Sequence, residues 1–285
     1  MKYRHSFHAG NFADVLKHTA LVWLLRALTR KDKPIFFLDT HAGRGRYSLA
    51  SQAALKSGEA QDGVLRLVAA TPRSEALRAY LEVLGDFEPR LGTERVLRSY
   101  PGSGLIGQRL LRARDRAVLC EIQEHECSAL AETVGRDSRI RVECRDGYEA
   151  LKALLPPAER RGLVLVDPAY ETQQQETAQV IAALGEALRR WRSGVYCVWY
   201  PIKLRAQIEQ WHRAVIALEP PPTLVAELCI YQDDSRAALN GAGVLIVNPP
   251  WQADEALRDA VAELHTLLAH DPRSPHGVSW LVAER

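Results

Sequence analysis

The chain has 285 residues, 47% of them apolar, and a formal net charge of +2, which is ample apolar mass for a folded core. That near-balance of charge permits a nucleic-acid partner without requiring one. No apolar stretch approaches transmembrane length, and the first residues, Met1 to His5, carry no apolar signal core, so a cytoplasmic globular protein is expected. The five cysteines are an odd number without a CxxC pair, and they read as reduced residues of a core.

Short apolar runs predict strands at 35–40, 117–122, 140–144, 163–166, 195–200, 224–231, 244–247 and 278–283. Helical spacing fills most of the gaps, at 15–30, 104–114, 127–134, 175–191 and 253–269. Strands that alternate with helices form a mostly parallel sheet covered on both faces. The exception is 47–100, which has helical stretches near 63–70 and 74–84 but no convincing strand. The expected organisation is therefore a discontinuous core, 1–46 and 101–285, with a helical insertion subdomain at 47–100. The late runs at 224–231 and 244–247 read as an antiparallel pair at one end of the sheet.

In a sheet of this kind a ligand lies beyond the carboxyl ends of the strands, so the residues that follow each strand carry the chemistry. The first run leads into Asp39-Thr40-His41-Ala42-Gly43-Arg44-Gly45-Arg46, where Gly43 lets a ligand approach the backbone, although Ser48 stands where a dinucleotide fingerprint has its third glycine. Glu121 ends the second run, placed to take both hydroxyls of a ribose. Asp146-Gly147 follows the third, placed to accept from an amino group on a purine. Asp167 follows the fourth. Acidic residues at successive strand ends point to a nucleoside site.

Asp167-Pro168-Ala169-Tyr170 is the most specific of these segments. Asp167 and the Pro168 carbonyl are two acceptors for an exocyclic NH2 group, and Tyr170 offers a stacking face. An Asp-Pro turn that merely ends a strand is the plainer reading of the same residues. Asn248-Pro249-Pro250-Trp251 offers a second stretch of similar type, but only one strand-like run follows it, so it reads as a strand-to-helix turn.

This pattern resembles a Rossmann-like class I S-adenosylmethionine-dependent methyltransferase core, which has a seven-stranded sheet and, in the amino-methylating branch, a [DNS]-P-P-[YFW] motif after the fourth strand. Ala169 departs from that motif at its third position. The segment from Tyr3 to His18, with Leu38 to Gly43, Tyr100-Pro101-Gly102-Ser103 and Trp199-Tyr200-Pro201, is similar to the bacterial 23S ribosomal RNA adenine-N6 methyltransferase J family. The resemblance implies N6-methylation of one adenosine in free 23S ribosomal RNA, with S-adenosyl-L-methionine as cofactor. It places cofactor contacts on His18, His41, Ser103, Glu121, Asp146 and Gly147, and catalysis on Asp167 with Pro168 and Tyr170.

His5, His8 and His18 fit no standard zinc spacing, so local hydrogen-bonding roles are expected and no metal. Lys17 faces either an RNA phosphate or the cofactor carboxylate, and Tyr3 is a candidate lid over the target base. Arg44 and Arg46 are the preferred RNA phosphate contacts, whereas Arg109, Arg112, Arg114 and Arg116 and the pair Arg160-Arg161 precede strands and belong at the far edge. The protein is expected to act as a monomer. A DNA adenine-N6 methyltransferase and a nicotinamide-dependent oxidoreductase remain the alternative readings.

Overall fold

The computed structural model describes residues 5–88, 91–170, 173–233, 235 and 239–283. After a single 3-10 turn at His5–Phe7, the chain runs α1 (Phe12–Thr29), β1 (Phe36–Asp39), β2 (Arg46–Ser48), α2 (Gln52–Ser57), α3 (Glu59–Asp62), α4 (Val64–Ala69), α5 (Glu75–Phe87), α6 (Leu91–Glu94) and β3 (Ser99–Pro101). It continues through α7 (Ser103–Leu110), β4 (Arg116–Cys120), α8 (Glu124–Val134), β5 (Ile140–Glu143), α9 (Gly147–Leu154), β6 (Gly162–Val166), α10 (Gln173–Arg190) and β7 (Val195–Ile202). The last part is α11 (Arg205–Ile216), β8 (Thr223–Cys229), β9 (Gly241–Val247), α12 (Ala253–Leu268) and β10 (His276–Val282).

The main sheet has the strand order β10-β8-β9-β7-β6-β1-β4-β5. From β7 to β5 every neighbouring pair is parallel, and β9 runs antiparallel to both β7 and β8. Seven strands thus form the expected class I core, including the antiparallel pair read from the late apolar runs. The terminal run adds an eighth strand, because β10 pairs antiparallel with the outer edge of β8. Central strands β1 and β6 are buried along their full length, as continuous apolar runs in a parallel sheet require.

Helix α1 is buried on nearly all sides and lies between the sheet and the helices of the 47–100 tract. Asn11 caps it, accepting from the Asp14 N–H at 2.9 Å. The 47–100 tract contains more structure than its sequence pattern shows: β2 and β3 pair antiparallel at its two ends, and α2, α3 and α6 are too short for periodicity to reveal. Its apolar residues Val64, Leu67 and Tyr80 share one core with Val15 and Leu16 of α1.

Contrary to expectation, two of the five cysteines are not reduced. Cys127 and Cys144 form a disulfide, because the first turns of α8 come back over the end of β5 and bring the two Cα atoms to 5.6 Å. Cys120, Cys197 and Cys229 are free and buried, as a core reading requires. Helix α11 adds to the helices expected from the sequence, with Ile208, Trp211 and Val215 marking its buried face at helical spacing.

Gly162 lies directly against β1, where an added Cβ would stand 1.9 Å from the Phe36 carbonyl oxygen. Gly162→Ala is expected to destabilise the protein by about 1–3 kcal/mol, seen as a lower urea midpoint with an unchanged denaturant slope.

Candidate active site

Strands β1, β4, β5, β6 and β7 are parallel, so their carboxyl ends meet at one edge of the sheet. A short connector returns α1 into β1, and the first turns of α1 therefore lie at that same edge. A cavity of about 590 Å³ opens there, bordered by the start of α1, the loop after β1, the start of α7, the tips of β4 and β6, and the end of β7.

The electrostatic centre of the cavity is Lys17, only 4% exposed. Its Nζ lies 2.7 Å from Asp14 Oδ1 and 2.5 Å from Asp167 Oδ2. Burial opposes the charge, but the two carboxylates hold the ammonium well above the usual lysine range. Asp14 also accepts from the Gly10 N–H at 2.9 Å and lies 3.0 Å from His5 Nε2. Burial would push its carboxyl up, yet His5 and Lys17 bring it well below the ordinary value. Next to this group, His18 Nδ1 lies 2.7 Å from the Tyr100 hydroxyl, which in turn lies 2.7 Å from the Tyr80 hydroxyl. Burial first and the Lys17 charge second lower the His18 pKa to about 3, so the imidazole is neutral. Its Nε2 is buried and has no hydrogen-bond partner among the described residues, on a side chain that lines the cavity.

The loop after β1 is shaped by Gly43, at φ 60°, where a Cβ would meet the Tyr47 hydroxyl at 2.2 Å. The Gly43 N–H donates to Glu121 Oε2 at 3.1 Å, and the Gln123 N–H donates to Glu121 Oε1 at 2.8 Å. Glu121 is thereby fixed at the tip of β4 with its carboxyl pushed up by burial. His41 Nδ1 lies 2.7 Å from the Thr40 hydroxyl, and its ring meets Tyr148 edge-on. Burial lowers the His41 pKa to about 4. Ser103 opens α7 against this loop, with Gly102 at the cap.

Asp167, Pro168, Ala169 and Tyr170 all line the cavity beyond β6. Tyr170 holds φ 51°, a strained backbone conformation for an aromatic residue. Its hydroxyl donates to the Trp199 carbonyl at 3.0 Å and its ring meets Trp199 edge-on, so β7 fixes the tip of β6. Asn248, in the rival motif, lies at the opposite edge of the sheet, because β9 runs antiparallel to β7 and Val247 pairs with Tyr196. There the Asn248 side chain donates to the carbonyls of Arg192 and Gly194, and Trp251 is 79% exposed.

Of the residues singled out in the sequence, Lys17, His18, His41, Gly43, Ser103, Glu121, Asp167, Pro168 and Tyr170 share the cavity. Asp146 and Gly147 do not line it. Asp146 caps α9 and accepts from the Tyr148 N–H at 2.7 Å, while Gly147 sits so close to β1 that a Cβ would lie 2.0 Å from the Thr40 carbonyl oxygen. Arg44 is held by Glu126 through two hydrogen bonds of 2.8 and 3.0 Å, and the Arg46 guanidinium lies over the Phe87 ring. Tyr3 lies outside the described residues. Sequence reasoning missed Asp14, Tyr100 and Trp199 as site-forming groups, and Ile122, 65% exposed at the cavity wall, whose position after Glu121 was the available signal.

A family model described as Ribosomal RNA large subunit methyltransferase D, RlmJ, matches residues 32–282. The chain is 40% identical over 284 residues to Ribosomal RNA large subunit methyltransferase J of Escherichia coli (strain K12), with both chains covered in full. The chain belongs to this family. The protein of the same name in Haemophilus influenzae is 37% identical over 284 residues, again across the whole of both chains. The crystal structure of protein LPL1258 from Legionella pneumophila superimposes with a TM-score of 0.83 at 33% identity, covering 96% of this chain and 97% of that one. The fold is thus that of a methyltransferase family with a Rossmann-like sheet, and the oxidoreductase alternative falls away.

Asp39 lies fully buried at the end of β1, where burial pushes its carboxyl from 3.8 up to about 7 against the Ser103 hydroxyl and the His41 N–H. The folded state therefore keeps this proton longer than the unfolded state, and stability falls as pH rises from about 4 through 7. Asp39→Asn cannot ionise. It is expected to raise unfolding free energy at pH 8 by up to about 4 kcal/mol relative to the unmodified protein, with no gain at pH 4, as measured by chemical denaturation at the two pH values.

Proposed function

We propose that the protein methylates N6 of one adenosine in 23S ribosomal RNA, with S-adenosyl-L-methionine as methyl donor, acting as a monomer on free RNA in the cytoplasm. The observation that carries this reading is the Asp167 carboxylate. It stands at the tip of β6 beside the Pro168 carbonyl and the Tyr170 ring, with Lys17 holding one of its oxygens at 2.5 Å. Among the described residues no helix is long and apolar enough to cross a membrane, and no group of three or more His, Cys, Asp or Glu side chains is arranged to hold a metal ion.

The residues present suit the cofactor. A cavity of about 590 Å³ is large enough for a nucleoside joined to an amino acid, and the unpaired buried His18 Nε2 marks a polar position within its wall. Glu121 would take the ribose hydroxyls and Lys17, His18 and Ser103 the amino-acid end, with Gly43 and His41 along the backbone of the loop, while Asp146 and Gly147, outside the cavity wall, hold the start of α9 against the end of β1. When bound, S-adenosyl-L-methionine supplies an electrophilic methyl group. The tract 47–100 is taken as a helical insertion in a core formed by 1–46 and 101–285, and it borders the cavity through Ser57, Glu59 and Asp62.

Adenine N6 is a weak nucleophile because its lone pair is delocalised into the ring. The base must leave its stack to reach a cavity at this depth. Asp167 and the Pro168 carbonyl then accept hydrogen bonds from the two N6–H groups, which draws the nitrogen toward a tetrahedral geometry with its lone pair free, and Asp167 is placed to take the one proton that N6 loses on gaining a methyl group. Lys17 orients the carboxylate, and Tyr170 and Trp199 pack the base in position. Arg44, next to Gly43 of the cavity wall and beside Glu126, and Arg46, at the start of β2, supply phosphate contacts.

Incubation with labelled S-adenosyl-L-methionine and, separately, protein-free ribosomal RNA, assembled subunits and DNA is expected to give N6-methyladenosine in the free large-subunit RNA. Label confined to DNA would overturn the RNA reading. Asp167→Asn is expected to lower kcat at least about a hundredfold while S-adenosylhomocysteine still binds. Full activity in that variant would defeat the assignment. Arg44→Ala and Arg46→Ala are each expected to weaken RNA binding and flatten its salt dependence, as followed by titration at several salt concentrations.

A further inference from the structure

The cavity does not end at Asp167. Beyond Tyr170 its wall continues along Trp199 and Pro201 to Lys203, and then to Tyr231 and His270. The topology explains this extension. Strand β8 runs in the same direction as β7, since both are antiparallel to β9, so Ile230 and Tyr231 emerge at the same edge of the sheet as Trp199 and Pro201.

The Tyr231 and His270 rings are stacked, with centroids 4.9 Å apart and planes inclined by 11°. Tyr231 is half-buried against the core, whereas His270 is exposed. Backbone bonds hold the pair in place. The His270 N–H donates to the Ile230 carbonyl at 3.0 Å, and the Ile230 and Tyr231 N–H groups donate to the Asn240 carbonyl at 2.8 and 3.2 Å. Asn240, almost fully buried, ties in the third segment by donating from its side chain to the Lys203 carbonyl at 2.8 Å. Lys203 itself is exposed and forms no ion pair among the described residues. A rigid, near-parallel aromatic pair with a cation beside it has the chemistry of a platform for a nucleobase and its phosphate.

We propose that Tyr231 and His270 form a stacking platform for the nucleotide next to the target adenosine, with Lys203 contacting its phosphate. This inference rests on the RNA-methylating reading above and adds a second subsite to it. The platform lies on the same cavity wall as the base pocket, past Trp199 and Pro201 in the direction in which β7 runs. The base held there continues the aromatic stack, and its identity matters little, because every base has a π-face. Its role is to hold the strand open while the adenosine occupies the pocket at Asp167.

The test uses the full chain and an RNA fragment that contains the adenosine mapped from the unmodified protein's own reaction. Tyr231→Ala and His270→Ala are expected to raise KM for this RNA about tenfold, with kcat and S-adenosylhomocysteine affinity unchanged, whereas Tyr231→Phe keeps the original KM. Lys203→Ala is expected to lower the salt slope of RNA binding by about one unit. An abasic site at one of the two flanking nucleotides should raise KM for the unmodified protein by a similar factor, yet add nothing further in His270→Ala, an exposed position where folding is not at stake. An unchanged KM in both alanine variants, or abasic effects at both flanks that multiply with the His270→Ala effect, would overturn the platform. Failure of the unmodified protein to methylate any RNA would instead remove the RNA reading itself and the platform with it.

Discussion

A single buried ammonium organises the reactive edge of this protein. Lys17 lies between Asp14, one helical turn back, and Asp167, 150 residues on in the chain, so it joins the first helix to the tip of β6. Neither the cation nor the two acids would be stable in this setting alone, and removing one partner from a buried pair of this type costs about 3–5 kcal/mol. The same network takes in His5 and the Gly10 N–H through Asp14, and burial, with the Lys17 charge adding to it, leaves the neighbouring His18 neutral. The acceptor that carries the proposed chemistry is thus held by a residue of the first helix, distant in sequence but at the same edge of the sheet. Packing of α1 and placement of the acid are one event.

The sheet supplies the rest of the geometry. Five parallel strands bring their carboxyl ends to one edge, and the connector from α1 to β1 places the start of that helix there as well. Close backbone approaches hold these parts together, at Gly162 against Phe36 and at Gly147 against Thr40. The helices of the 47–100 tract are continuous with this body, since Tyr80 lies against Tyr100 and so against His18. At the cavity edge Tyr170 adopts a positive φ, fixed through its hydroxyl by β7. β8 then extends the same edge and delivers Tyr231 to the far wall of the cavity, where His270 arrives from the end of α12.

Two similar tetrapeptides show how topology assigns chemistry. Asn248-Pro249-Pro250-Trp251 has the closer spelling, but β9 runs antiparallel and delivers it to the edge away from the cavity, where Asn248 fastens a turn. Asp167-Pro168-Ala169-Tyr170 follows a strand that runs the other way. Strand direction, which spelling does not carry, separates a structural turn from a site.

Local pattern alone determined the strand runs, the alternation with helices, the glycine loop and the acids at the strand tips, because each depends on residues close together in the chain. The pairing of Lys17 with Asp167, the Cys127–Cys144 bond, the β2–β3 pair and the docking of the terminal strand on β8 depend on contacts between segments far apart, for which no local signal exists. The same reason governs the aromatic wall. Tyr231 and His270 are 39 residues apart, unremarkable in their own segments, and only the fold stacks them beside the cavity.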